Sequence, residues 1–216
     1  MSHDSELQQA VLAELNWEPS VTAANIGVTA RAGVVALTGH VESYGEKFAA
    51  EMATRRVKGV KAVAEELEVR LPSNIERGDT DIAEAALDRL AWDASVPNDT
   101  VRIEVENGLV TLTGEVDWHY QKAAAEKDIG GMYGVVDVVD LITIKPRVDV
   151  LNLSKDITKA LHRSWFDPKT IKVSVEGGKV HLTGSVRTRH DRNEAESTSW
   201  AAPGASDVKN DIEVLY

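Results

Sequence analysis

The sequence predicts an α+β protein of three tandem α-β-β-α-β units, each a three-stranded mixed sheet with two helices packed on one face. Two observations carry this expectation. Leu37-Thr38-Gly39 recurs as Leu112-Thr113-Gly114 and Leu182-Thr183-Gly184, with Val41, Val116 and Val186 two residues after each glycine. A second glycine follows at twenty residues (Gly59, Gly134, Gly204), and Val69, Ile144 and Val214 close an apolar run ten residues later. One spacing held three times in 216 residues is an internal repeat, and it divides the chain into repeats at 1–71, 76–146 and 151–216. Units this small bury only about 60% of their unfolded surface, so they are expected to pack on one another or on a second chain.

Each repeat opens with a helix. Asp4, Asp79 and Ser154 are good N-cap types, and Leu7, Val11 and Leu15 fall at helical spacing, as do Ile82, Ala86 and Leu90 and then Ile157 and Leu161. Pro19-Ser20, Pro97-Asn98 and Asp167-Pro168 end these helices. Ile26-Val28-Ala30, Val101-Ile103-Val105 and Ile171-Val173-Val175 alternate with more polar or smaller residues, the period of a half-buried strand. Arg31-Ala32-Gly33, Glu106-Asn107-Gly108 and Glu176-Gly177-Gly178 supply hairpin turns. Return strands Val34 to Thr38, Leu109 to Thr113 and Lys179 to Thr183 place Leu-Thr-Gly at the end of each hairpin. A second helix spans 43–57, 118–129 and 188–200, and Gly59, Gly134 and Gly204 suit a positive-φ position beyond its end. The last strand, 63–69, 138–144 and 208–214, returns through that helix and so runs parallel to the strand before it.

Charge separates the repeats. Residues 1–71 carry seven basic and ten acidic side chains, 72–150 seven and sixteen, and 151–216 ten and nine, within a net charge of −11. No basic footprint for nucleic acid exists, and the third repeat alone meets an anionic surface without strong repulsion. Cysteine is absent, which excludes disulfides and thiolate metal sites. The first residues lack the basic and apolar regions of a signal peptide, and no run approaches the roughly 18 apolar residues of a membrane span. A cytoplasmic location is the expectation.

The element order, Leu-Thr-Gly after the hairpin and the later glycine with Val or Ala before the last strand resemble the BON domain, three times over. The resemblance implies a non-enzymatic, stress-linked and envelope-associated role, with phospholipid surfaces as ligand. Familiar members have a leader and two copies, whereas this sequence shows three.

Catalytic residues are not expected: the six histidines show no HExxH spacing, and no nucleophile elbow or phosphate-binding GxxxxGK[ST] occurs. No cofactor or metal is called for. Gly39, Gly114, Gly184, Gly59, Gly134 and Gly204 read as structural turns. Trp17 and Trp92, ending the first helices, read as plugs of the helix-to-hairpin corner, with Trp165 near the same place; a lipid or partner contact is the alternative. Trp118 and Trp200 have no counterparts and are interface candidates. Arg187, Arg189 and Arg192 open a helix against its dipole. With Lys172 and Lys179 they form a candidate surface for anionic phospholipid, or they pair with the acidic second repeat. Val139 and Leu141 make one last strand apolar on both faces, so its outer face is expected to be covered by a neighbouring repeat or a second copy of the chain. The function expected is binding or scaffolding in stress response or envelope maintenance. A cation or small-ligand sensor and a chaperone-like assembly protein are the alternatives.

Overall fold

A computed structural model describes residues 3–72, 77–145, 152–163 and 170–215. The first repeat runs α1 (His3–Trp17), β1 (Ile26–Arg31), β2 (Val34–Val41), α2 (Tyr44–Arg56) and β3 (Ala62–Val69). The second repeats this with α3 (Asp79–Trp92), β4 (Val101–Glu106), β5 (Leu109–Val116), α4 (His119–Gly130) and β6 (Asp137–Ile144). The third has α5 (Leu153–Leu161), β7 (Ile171–Glu176), β8 (Lys179–Val186), α6 (Arg189–Trp200) and β9 (Asp207–Val214). Three mixed sheets result, ordered β1-β2-β3, β4-β5-β6 and β7-β8-β9. In the first and third, the central strand pairs antiparallel on one side and parallel on the other: Val28 and Glu65 flank Leu37, and Val173 and Asn210 flank Leu182.

Sheet and helices meet over a core built from the residues that repeat. Leu7, Val11 and Leu15 of α1 pack with Val35, Leu37 and Val41 of β2 and with Ala50 and Ala53 of α2. Leu153, Ile157 and Leu161 meet Val180, Leu182, Val186 and Ala195 in the third repeat. Ile82, Ala86, Leu90, Val110, Leu112, Val116 and Ala125 are buried at the matching places of the second. Alanine recurs in the second helix because that helix lies close on the sheet, where a larger side chain has no room. Contacts divide the chain into two compact bodies, one of residues 1–89, 103–111 and 126–139, the other of 90–102, 112–125 and 140–216.

Leu-Thr-Gly departs from its expected place. It lies inside the central strand, which continues to Val41, Val116 and Val186. Gly39, Gly114 and Gly184 hold φ of 113°, 139° and 119°, and a Cβ there would overlap the carbonyl oxygen of Asn25, Thr100 or Thr170. These glycines therefore let the chain enter the first strand against the backbone of the central one. Asp4 and Asp79 also act differently from simple N-caps. Their carboxylates accept from the hairpin-turn N–H groups of Ala32 (2.8 Å) and of Asn107 and Gly108 (2.8 and 2.9 Å), tying the first helix to the hairpin.

The corner plug expected of Trp17 and Trp92 is not formed: they are 81% and 88% exposed. Each lies two residues past a buried leucine, Leu15 or Leu90, and so about 200° around the helix from the core face. Trp165 lies outside the described residues. Val139 and Leu141 are 37% and 56% exposed, so no described part of the chain covers the outer face of β6.

Candidate interaction surfaces

The first turn of the second helix is built around one buried polar side chain in every repeat. Ser43 caps α2 by accepting from the Glu46 N–H at 3.1 Å. Glu46, itself buried, accepts from the Thr22 and Glu42 N–H groups at 2.6 and 2.8 Å. In α4 the buried Gln121 accepts from Asp117 and Trp118 through a single oxygen, at 2.9 and 3.0 Å. In α6 the buried Asp191 accepts from the Thr188 N–H while Thr188 accepts from the Asp191 N–H, both at 3.1 Å. These groups satisfy the orphan donors of the helix start. The sequence carried the signal, since Ser43-x-x-Glu46 and Thr188-x-x-Asp191 are capping-box spacings.

One residue further along each helix stands a cation that ties the helix to the third strand. The Lys47 ammonium lies 3.0 Å from Glu65, and that of Lys122 lies 3.4 Å from Asp140 and donates to the Ile142 carbonyl at 2.7 Å. Arg192, expected in the cationic surface set, instead donates to the Ile212 and Asn210 carbonyls at 3.1 and 2.8 Å. Its planar guanidinium spans two carbonyls of its own β9, which turns it away from solvent.

The same helix starts carry the contacts between repeats. Tyr44, first residue of α2, lies over Gly130 at the end of α4, where an added Cβ would sit 2.9 Å from the ring. Burial raises the Tyr44 phenol to about 12, helped by Glu126, Asp137, Glu51 and Glu65. Lys47 reaches Asp137 at 3.4 Å from the same turn. At the next boundary His119, first residue of α4, stacks on Trp200 at the end of α6, ring centroids 4.0 Å apart and planes within 19°. Burial holds the His119 imidazole below its ordinary value, Lys122 adding to the effect and Glu196 and Asp140 opposing it. Trp200 thus stands against repeat 2. Trp118, beside it in sequence to His119, is half-buried and gives its backbone N–H to Gln121.

The remaining basic residues are spread out. Lys172 lies across from Thr183 and Lys179 across from Glu176, so four residues, about 13 Å along the strand, separate them. Arg187 is exposed just beyond β8, and Arg189 is half-buried at the start of α6. Between these, His181 and Lys209 each lie 2.8 Å from Asp211, whose carboxyl they hold below its usual range. Among the described residues no group of three or more His, Asp or Glu side chains is placed to hold a metal ion, and no helix is long and apolar enough to cross a membrane.

Three α-β-β-α-β repeats, each with a buried capping group at the start of its second helix, define a tandem α+β repeat protein. The BON domain model matches residues 3–70, 78–146 and 149–216, and the chain belongs to this family. It is 31% identical over 139 residues to osmotically-inducible protein Y of Escherichia coli, covering 62% of this chain and 69% of that protein. It is 26% identical over 179 residues to the outer membrane lipoprotein DolP of Haemophilus influenzae, covering 79% and 83%. Among solved structures, CdsD of the Chlamydia trachomatis type III secretion system aligns with 97% of this chain and 92% of its own, at 17% identity and a TM-score of 0.28.

Proposed function

We propose that the chain is a non-enzymatic binding and scaffolding protein of stress response or envelope maintenance, attaching weakly to anionic phospholipid surfaces through its third repeat. One observation carries the lipid assignment: Lys172, Lys179 and Arg187 are exposed on the one repeat whose charge is not net negative. The names of the two relatives, one osmotically inducible and one an outer membrane lipoprotein, support the stress and envelope setting. Dispersed cations contribute on the order of 1 kcal/mol each near an anionic surface, which makes the attachment weak and salt-sensitive.

Vesicle sedimentation tests this. The chain should pellet with phosphatidylglycerol-containing vesicles and stay in solution with neutral ones, and Lys172→Glu with Lys179→Glu should weaken binding about tenfold or more. Equal binding to both vesicle types, or none to either, overturns the lipid assignment. The proposal places the protein in the cytoplasm, and its recovery solely from an extracytoplasmic fraction would overturn that part.

A further inference from the structure

Both repeat-to-repeat contacts use the same two surfaces. One is the start of a second helix, Tyr44 with Lys47 and then His119. The other is the end of the next second helix and the strand after it, Gly130 with Glu126 and Asp137, then Trp200 with Glu196. The first surface is aromatic and cationic, and the second is flat and acidic. Repeat 3 carries a basic counterpart at the start of α6, with Arg189 in the place of Tyr44 and His119, while Arg192, in the place of Lys47 and Lys122, is bound to β9. Arg187, Thr188 and His190 are exposed around it.

Repeat 1 carries the second surface in altered form. Arg55 stands where Gly130 and Trp200 stand, and its guanidinium lies 2.5 Å from Glu51, the counterpart of Glu126 and Glu196. Ala62, exposed, replaces Asp137 and Asp207. A second copy would therefore bring Arg55 toward Arg189 and offer no free acid, so like charges oppose the docking. Head-to-tail contacts that do not close build fibres, and this substitution pattern blocks them.

We propose that the start of α6 is a docking face for an acidic α-β-β-α-β unit carried on a separate polypeptide, with self-docking excluded by Arg55 and Ala62. The partner unit presents a flat or aromatic residue at the end of its second helix, over which Arg189 lies, and an acid at the start of its third strand. This does not rest on the lipid reading, which shares Arg187 with the face but is tested at Lys172 and Lys179.

The chain can be made into its own partner. Arg55→Trp with Ala62→Asp should give concentration-dependent association in sedimentation velocity beyond that of the unaltered chain. Adding Arg189→Glu should weaken that association about tenfold or more. A variant sedimenting like the unaltered chain at every concentration, or association indifferent to Arg189→Glu, overturns the proposal. Should the tryptophan perturb α2, Ala62→Asp alone keeps the test open, titrated against labelled unaltered chain at low salt. Saturable binding that Arg189→Glu removes supports the docking face, and its absence overturns it. Binding of the unaltered chain to anionic vesicles that depends on Arg189, with none to the acid-bearing variants, assigns the face to a membrane and also overturns it.

Discussion

At Gly114 a φ of 139° and the Thr100 carbonyl both exclude a side chain. Gly114→Ala must shift backbone, and a cost of about 3 kcal/mol or more is expected in denaturant unfolding. A neutral outcome would mean the strand entry relaxes freely. Glu46 tests the capping group more finely. Its two oxygens serve two separate N–H groups, so Glu46→Gln places an NH2 against one of them, either Thr22 or Glu42, and should cost about 1 kcal/mol. Gln121 already serves both of its donors with one oxygen, so Gln121→Glu should be nearly silent. Equal costs at the two sites would refute the difference in acceptor use. These roles were partly legible: a glycine recurring after Leu-Thr in all three repeats announced a structural need. The sequence could not show that the need was a backbone carbonyl, that of Asn25, Thr100 or Thr170, from just before the first strand.

Among the elements, the second helix does most of the positioning, because its first turn holds the cap, the strand tie and the contact to the next repeat. His119 makes that contact titratable. Its folded pKa is depressed, so the unfolded chain binds the proton more readily. The stacking contribution is therefore complete above the ordinary histidine value and lost as pH falls below about 6.5. Thermal unfolding should show a midpoint that drops over this range, and His119→Gln should flatten the drop. An unchanged slope in the variant would remove His119 from the account. The helix order was readable from period, but the caps of the first helices were not. Asp4 and Asp79 bond the hairpin turn, and Ser154, inside α5 behind the N-cap Asn152, donates to the Val173 carbonyl. The inward turn of Arg192 was not readable either, because a basic residue in a helix start looks the same whether it meets solvent or a strand carbonyl. The exposure of Trp17 and Trp92 follows from their angle around the helix from Leu15 and Leu90, not from their position at a helix end.

For the whole molecule, the net charge of −11 falls mostly on residues 72–150. Screening reduces this self-repulsion, so raising sodium chloride from about 0.02 to 0.2 M should raise the unfolding midpoint by a few degrees. The same addition should weaken attachment to anionic vesicles. Opposite signs in the two measurements separate repulsion within the chain from attraction to a surface, and a midpoint that falls with salt would show that attractive ion pairs dominate.

Sequence alone determined the α+β class, the three repeats and the BON family, because glycine spacing and apolar period are local requirements of strand, turn and helix. Tertiary structure decided which polar residues face inward and which apolar ones face out. Leu141 is open on an outer sheet face, Arg192 is bound to β9, and His119 lies on Trp200. Those outcomes depend on residues far apart in sequence meeting at particular angles. A periodic pattern states which residues share a face, but packing chooses what that face meets.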